Sequence, residues 1–324
     1  MDHRVDRAAR PLLALLLAAL AAAPAGVAAP GAQPPEEGGV ASFDESVSVS
    51  WVLVPVVVRS PQGHVAGLDR EDFRLFVDGR AARIDEIDLG EEVPLSVVYL
   101  QDLSGSIANS GKLEASRRAF SELLDRGREG DEVALATFAG DRLRVEVPFT
   151  GDRSALQEAM ELWEGYGTTA LHDAVSLLPD ISQQGRSGRR VAVLVTDGQD
   201  NASALDPERA VSVVRGASLP VYVIGLTAGR GPRNETPEAD LYGELLESLA
   251  ERTGGRYFEV AGAEEAAAAV AALVDDLRSR YVLAVATAGD GPRSYHELRV
   301  EVALPYRHTL TYRRGYHGTL PVDH

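Results

Sequence analysis

The chain has 324 residues, with 32 Lys plus Arg against 49 Asp plus Glu, a formal net charge of −17. That balance argues against an electrostatic grip on nucleic-acid phosphates or an anionic membrane surface, both of which need a positive face. The absence of cysteine removes disulfides, thiolate metal sites and cysteine nucleophiles. A content of 45% apolar and 25% charged residues is that of a packed globular chain.

Residues 1–29 read as a secretory signal peptide. Arg4, Arg7 and Arg10 precede an apolar run over 11–23, and Ala23-Pro24-Ala25 fits a small-residue cleavage pattern. The Leu-rich core is shorter than the roughly 18–20 residues a spanning helix needs. The mature chain is therefore expected to be exported, periplasmic or extracellular, with no transmembrane segment. Residues 30–44 are Pro/Gly-rich and read as a linker.

Residues 45–92 read as a β block. Val47, Val49 and Trp51 alternate with serines, the period of a half-buried strand. Pro55 interrupts that run and predicts an edge position or a bend. A short strand is expected at 73–77, a hairpin turn at Asp78-Gly79 and the return strand at 83–88. Residues 94–280 change character. Strand-like runs at 95–100, 132–138, 191–196 and 221–226 alternate with helical patterns near 112–126, 152–163, 170–181, 206–216, 239–252 and 263–279. This alternation predicts an α/β, Rossmann-like, mostly parallel sheet with helices on both faces. A short turn then suggests an antiparallel edge strand at 143–147. Residues 281–317 return to β, with runs at 281–287 and 296–304 around a Gly289-Asp290-Gly291 turn and a last strand at 309–313. The two flanking blocks are expected to pair into a small β-sandwich, with the α/β block inserted between them.

The chemistry lies at the predicted strand ends. The first strand of the α/β block runs into Asp102-Leu103-Ser104-Gly105-Ser106, one carboxylate and two hydroxyls at alternating positions around a glycine. The third runs into Thr196-Asp197-Gly198. Gly165-Tyr166-Gly167-Thr168-Thr169 precedes a helix and carries two more hydroxyls. Sheets of this kind place ligands at the carboxyl ends of their strands. There Asp102, Ser104, Ser106, Thr169 and Asp197 would offer oxygen and neither nitrogen nor sulfur, the donor set of a hard cation: Mg2+, or Mn2+ or Ca2+. They are too few for a closed cage, which leaves a coordination position for water or an external carboxylate. Read alone, D-x-S-x-S is an ordinary turn or helix cap. His172 and Asp173, at a helix start, read as capping and packing residues, Asp200 as a solvated acid and Trp163 as core.

Taken together, D-x-S-x-S, the G-T-T-A-L-H-D-A stretch and T-D-G resemble von Willebrand factor type A domains. There this constellation is a metal-ion-dependent adhesion site. The resemblance implies that Ser104, Ser106 and sometimes Thr169 bind metal directly, and that Asp102 and Asp197 often act through water. The segments around Val54-Pro55-Val56 and Asp72-Phe73-Arg74, and the Arg314-Gly315-Tyr316 tail, further resemble the related proteins abundant in acidobacteria. The likeness thus covers about 45–317. Three positions depart from the pattern: Gln101 is polar, Ile107 replaces a common Met, and Thr168 stands where glycine is frequent.

The implied function is that of an exported module, not an enzyme, whose metal captures an Asp or Glu of a protein partner. A structural envelope protein in which the metal only stabilises the fold is the alternative. A serine hydrolase using Ser104 or Ser106 is disfavoured, because neither lies in a G-x-S-x-G elbow and none of the seven histidines has a motif context.

Overall fold

The computed structural model describes residues 49–89, 93–108, 111–140, 142–227, 237–288 and 295–317. The expected signal peptide, the linker and the Gly289-Asp290-Gly291 turn lie outside them.

The first block forms β1 (Val49–Ser60), β2 (Gly63–His64), β3 (Phe73–Val77), β4 (Arg80–Ala82) and β5 (Glu86–Leu89). The α/β block follows with β6 (Leu95–Asp102), α1 (Lys112–Arg126), β7 (Glu132–Ala139), β8 (Arg142–Thr150), α2 (Arg153–Glu161), α3 (Leu171–Ser176), α4 (Leu178–Ser182), β9 (Arg189–Thr196), α5 (Pro207–Gly216), β10 (Val221–Leu226), α6 (Pro237–Thr253), β11 (Tyr257–Val260) and α7 (Ala263–Arg278). The last strands are β12 (Arg280–Ala288), β13 (Tyr295–Val302), β14 (Thr309–Tyr312) and β15 (Gly315–His317).

The central sheet has six strands in the order β11-β10-β9-β6-β7-β8. All its pairings are parallel except that of β8 with β7. Successive residues of β6 enter two separate cores. Val97 and Tyr99 pack with Phe120 and Leu273 of α1 and α7, whereas Val98 and Leu100 pack with Ala174, Val214 and Leu249 of α3, α5 and α6. Burial on both faces explains why this strand reads as an unbroken apolar run. Trp163 is core: its ring stacks on Tyr99 at 6.4 Å and tilts against Phe120 at 5.4 Å.

The flanking strands make two further sheets, β14-β1-β12-β5 with β2 at the end of β1, and β15-β13-β3-β4. Val54, Val56, Val58 and Leu283 of one meet Phe73, Leu75, Leu298 and Val300 of the other in a shared core, so the sandwich is present. Its register departs from expectation in three places. The return strand after Asp78-Gly79 is β4, not 83–88; residues 83–85 cross over, and β5 pairs with β12 in the other sheet. The runs near 281–287 and 296–304 do not form a hairpin, because β12 joins β1 while β13 joins β3. Pro55 lies inside a continuous strand, paired with Val282 on one side. Pairing with β14 on the other side begins only at Val56, so the missing amide hydrogen faces an unpaired edge.

Inside the α/β block the helix expected over 170–181 is broken into α3 and α4. Pro179, in the first turn of α4, has no amide hydrogen to continue the ladder. The strand β11 carried no clear period and went unpredicted. A buried Asp276 on α7 accepts from Arg59 Nε at 2.7 Å and lies 2.7 Å from His64 Nε2, tying the α/β block to β1.

Candidate metal centre

Strands β6 and β9 are neighbours where the strand order reverses. From β6 the chain proceeds to β7 on one side, and from β9 to β10 on the other. The loops leaving the two carboxyl ends therefore diverge and leave a crevice. Asp102 is the last residue of β6, and Asp197 directly follows β9.

Asp102 is completely buried. Its Oδ1 accepts from the Ser104 amide at 2.8 Å, and its Oδ2 from the Thr196 hydroxyl at 2.6 Å. The second bond crosses from β6 to β9 and pins the two strand ends together. The Ser104 and Ser106 hydroxyls face each other at 3.1 Å. The loop carrying Thr169 is fastened to the first loop by backbone: Gly105 N donates to Gly167 O at 3.1 Å and Tyr166 N to Leu103 O at 2.8 Å. Gly167 takes a φ of +73°, a turn that glycine makes without strain. The Thr168 side chain is exposed, which is why threonine is tolerated there. Thr169 is buried, and its amide donates to Asn201 Oδ1 at 2.8 Å. Asp197 is buried too; its Oδ2 accepts from Lys112 Nζ at 2.8 Å and its Oδ1 from the Gln199 amide at 3.2 Å.

Burial pushes the Asp102 carboxyl up to about 6, against the Thr196 and Ser104 hydrogen bonds and with the charge of Asp197 adding to the rise. An acid in that position gains from any cation that approaches it. Each oxygen of Asp102 retains a lone pair beyond these bonds. Among the described residues no three acidic, imidazole or thiolate side chains converge as a metal cage. A cation held here would have to draw on the serine and threonine hydroxyls and on water, which suits a hard ion such as Mg2+.

Three residues of this neighbourhood escaped the sequence reading. Thr196 was legible only as part of T-D-G, and no metal-site motif in the sequence marked Asn201. Lys112 left a usable signal: a cation in the first turn of a helix runs against the macrodipole and asks for a nearby anion. Asp200 is a correction. It is not simply solvated, since its carboxylate accepts from Ser203 N, Ser203 Oγ and the His172 amide. Burial raises this acid, but those bonds together with the His172 charge pull it below its ordinary value. The fixed loop is the physical reason for its low exposure. Asp173 caps the same loop by accepting from Ala204 N and Leu205 N, both at 2.9 Å.

Gly165 sets the spacing of the first two loops. A Cβ there would stand 2.7 Å from Ala108 N and 2.8 Å from Ala108 Cβ. Gly165→Ala is expected to cost about 1–3 kcal/mol of stability, the usual price of overpacking, and to weaken cation binding by displacing Ser106. Denaturant unfolding and metal titration of the same sample check both.

Residues 96–272 match the family model described as von Willebrand factor type A domain. Among curated proteins, the chain is 29% identical over 145 residues to the uncharacterized protein YfbK of Escherichia coli K12, across 42% of this chain and 25% of that protein. It is 24% identical over 185 residues to an uncharacterized protein of Borreliella burgdorferi, across 51% of this chain and 53% of that one. The chain thus spans a quarter and about half of the length of these two relatives. Among solved structures, a von Willebrand factor type A protein from Catenulispora acidiphila aligns with a TM-score of 0.48 and 13% identity, over 85% of this chain and 75% of that one. An aerotolerance-related membrane protein from Bacteroides fragilis aligns with a TM-score of 0.43 and 23% identity, over 56% and 98%.

Proposed function

Because the chain belongs to the von Willebrand factor type A domain family, we propose that it is an exported binding module, not an enzyme, whose bound cation captures an Asp or Glu of a protein partner. The cation is Mg2+, with Mn2+ or Ca2+ as substitutes, held by Asp102, Ser104, Ser106, Thr169 and Asp197. The observation that carries this reading is the tying of three oxygen-bearing loops at the switch point of the sheet, with two buried carboxylates, Asp102 and Asp197, at the strand ends. When bound, such an ion would supply Lewis acidity toward an anionic oxygen. The chain's own residues supply the rest. The Thr196 bond orients Asp102, the backbone bonds of Gly105 and Tyr166 register Ser104 and Ser106 against the Thr169 loop, and Lys112 holds Asp197. With a net charge of −17, the protein repels an acidic partner at long range, so the contact depends on the local ion.

The burial of Asp102 also favours a second reading, a structural envelope protein whose ion serves only to relieve that carboxylate. Affinity capture from the native envelope, with and without chelator, separates the two. The binding module predicts partners that are lost on chelation and lost alike in Asp102→Ala and Ser104→Ala. The structural role predicts a melting temperature that rises with Mg2+ and partners indifferent to chelator. Labelling of Ser104 or Ser106 by a fluorophosphonate would overturn both in favour of a hydrolase.

A further inference from the structure

A cavity of about 310 Å³ opens at the other end of the central sheet, remote from Asp102 and Asp197. It is bounded by the amino ends of β6 and β9, by β1 and β12, and by the tail near Tyr316. Its walls are mainly apolar, with Leu95, Val191, Leu277 and Val282 among them. Four arginines also line it, Arg189, Arg190, Arg280 and Arg313, and among the described residues no acidic side chain does.

That concentration of positive charge stands out in so acidic a chain. Elsewhere arginines meet carboxylates, as the buried Arg278 meets Asp131 and the half-buried Arg59 meets Asp276. For Arg190, Arg280 and Arg313 the described acceptors are neutral. Arg190 donates to Gly185 O at 3.1 Å, Arg280 to the Tyr222 hydroxyl at 2.8 Å, and Arg313 to the Ser218 hydroxyl at 2.6 Å and Leu53 O at 2.7 Å. The Nε atoms of Arg190 and Arg313 are buried without a hydrogen-bond partner. Burial lowers Arg313 to about 10, and burial with the charges of Arg280 and Arg278 lowers Arg189 to about 10 against the opposing charges of Asp131 and Asp88. Cations crowded in this way favour an incoming anion.

We propose that this cavity binds a small organic anion, a carboxylate on a single apolar chain. Guanidinium groups pair with carboxylates in a fork geometry that also gives specificity, and the apolar walls take the chain. The volume lies at the lower end of the roughly 300–1,000 Å³ of small-molecule pockets. It admits one hydrocarbon chain and not the paired chains of a membrane lipid. The proposal is independent of the metal centre and stands whether or not a cation binds there.

Isothermal titration of the full chain with octanoate, using 1-octanol as the neutral control, tests it. Octanoate is expected to bind at least tenfold more tightly than octanol, and Arg190→Gln to weaken octanoate tenfold or more with little effect on octanol. Absence of octanoate binding up to about 1 mM, a concentration matching a weak complex, overturns the proposal. So does equal affinity for octanol, or a folded Arg190→Gln protein that binds octanoate unchanged. In those cases the arginines serve only to join the sheets. If Arg190→Gln fails to fold, the octanoate–octanol comparison on the native chain still decides.

Discussion

Asp102→Asn protein is expected to lose divalent-cation affinity by at least 100-fold and, free of metal, to be more stable than the native protein at neutral pH. The loss follows from removing one of only two carboxylates at the strand ends, where each supplies charge that a neutral amide cannot. The gain follows from linkage. The folded Asp102 carboxyl sits at about 6, above its ordinary value of 3.8. The folded state therefore prefers the protonated acid. Its contribution to stability is fully present below the unfolded value and is lost as pH rises through about 6. A separation of about two units corresponds to about 3 kcal/mol of differential stability by pH 7. Asn has no proton to lose. The difference in unfolding free energy between the two metal-free proteins should thus widen from pH 4 to about pH 6.5 and then level off. Acids that folding holds low, such as Asp200 and Glu132, oppose this trend in both proteins and cancel in the comparison. Urea titrations in chelator across that range measure it. An Asn variant that binds Mg2+ like the native chain, or whose stability tracks it at every pH, would remove Asp102 from the site.

The second large effect is expected from Lys112→Met, in the opposite direction. Lys112 and Asp197 form a buried ion pair, with side chains only 7% and 0% exposed. Removing the ammonium takes the Lys112 charge from Asp197, a change that in buried pairs costs about 3–5 kcal/mol. The same change removes a positive charge beside the place where a cation would sit, and at an effective dielectric of about 20 such repulsion is worth several kcal/mol at contact range. Both consequences raise the affinity for metal. Lys112→Met is expected to be clearly less stable than the native protein in chelator, to bind Mn2+ at least tenfold more tightly, and to recover its melting temperature when metal is added. Calorimetric titration with Mn2+ and melting curves with and without metal decide this. Unchanged affinity would mean that Asp197 takes no part in holding the ion. Of the two buried carboxylates at the strand ends, Asp197 is already paired with Lys112, so a divalent ion held between them would keep excess positive charge. That excess is what an external carboxylate would meet.

Much of this was legible in the residues themselves. Alternating short apolar runs and amphipathic stretches define the parallel sheet, because a strand buried on both faces and a helix buried on one leave different periods. The glycines and hydroxyls of D-x-S-x-S, together with T-D-G at a strand end, mark the crevice, because topology alone sends those ends to one edge. What the chain order does not carry is partnership between distant segments. β12 and β13 are neighbours in sequence, yet they joined different sheets, since each is chosen by the apolar face it completes with β1 or β3. The link from Thr196 to Asp102 spans 94 positions and that from Lys112 to Asp197 spans 85. No local pattern encodes them. They exist because packing brought a hydroxyl and an ammonium to carboxylates already stripped of water, where an unpartnered charge costs far more than it would at the surface.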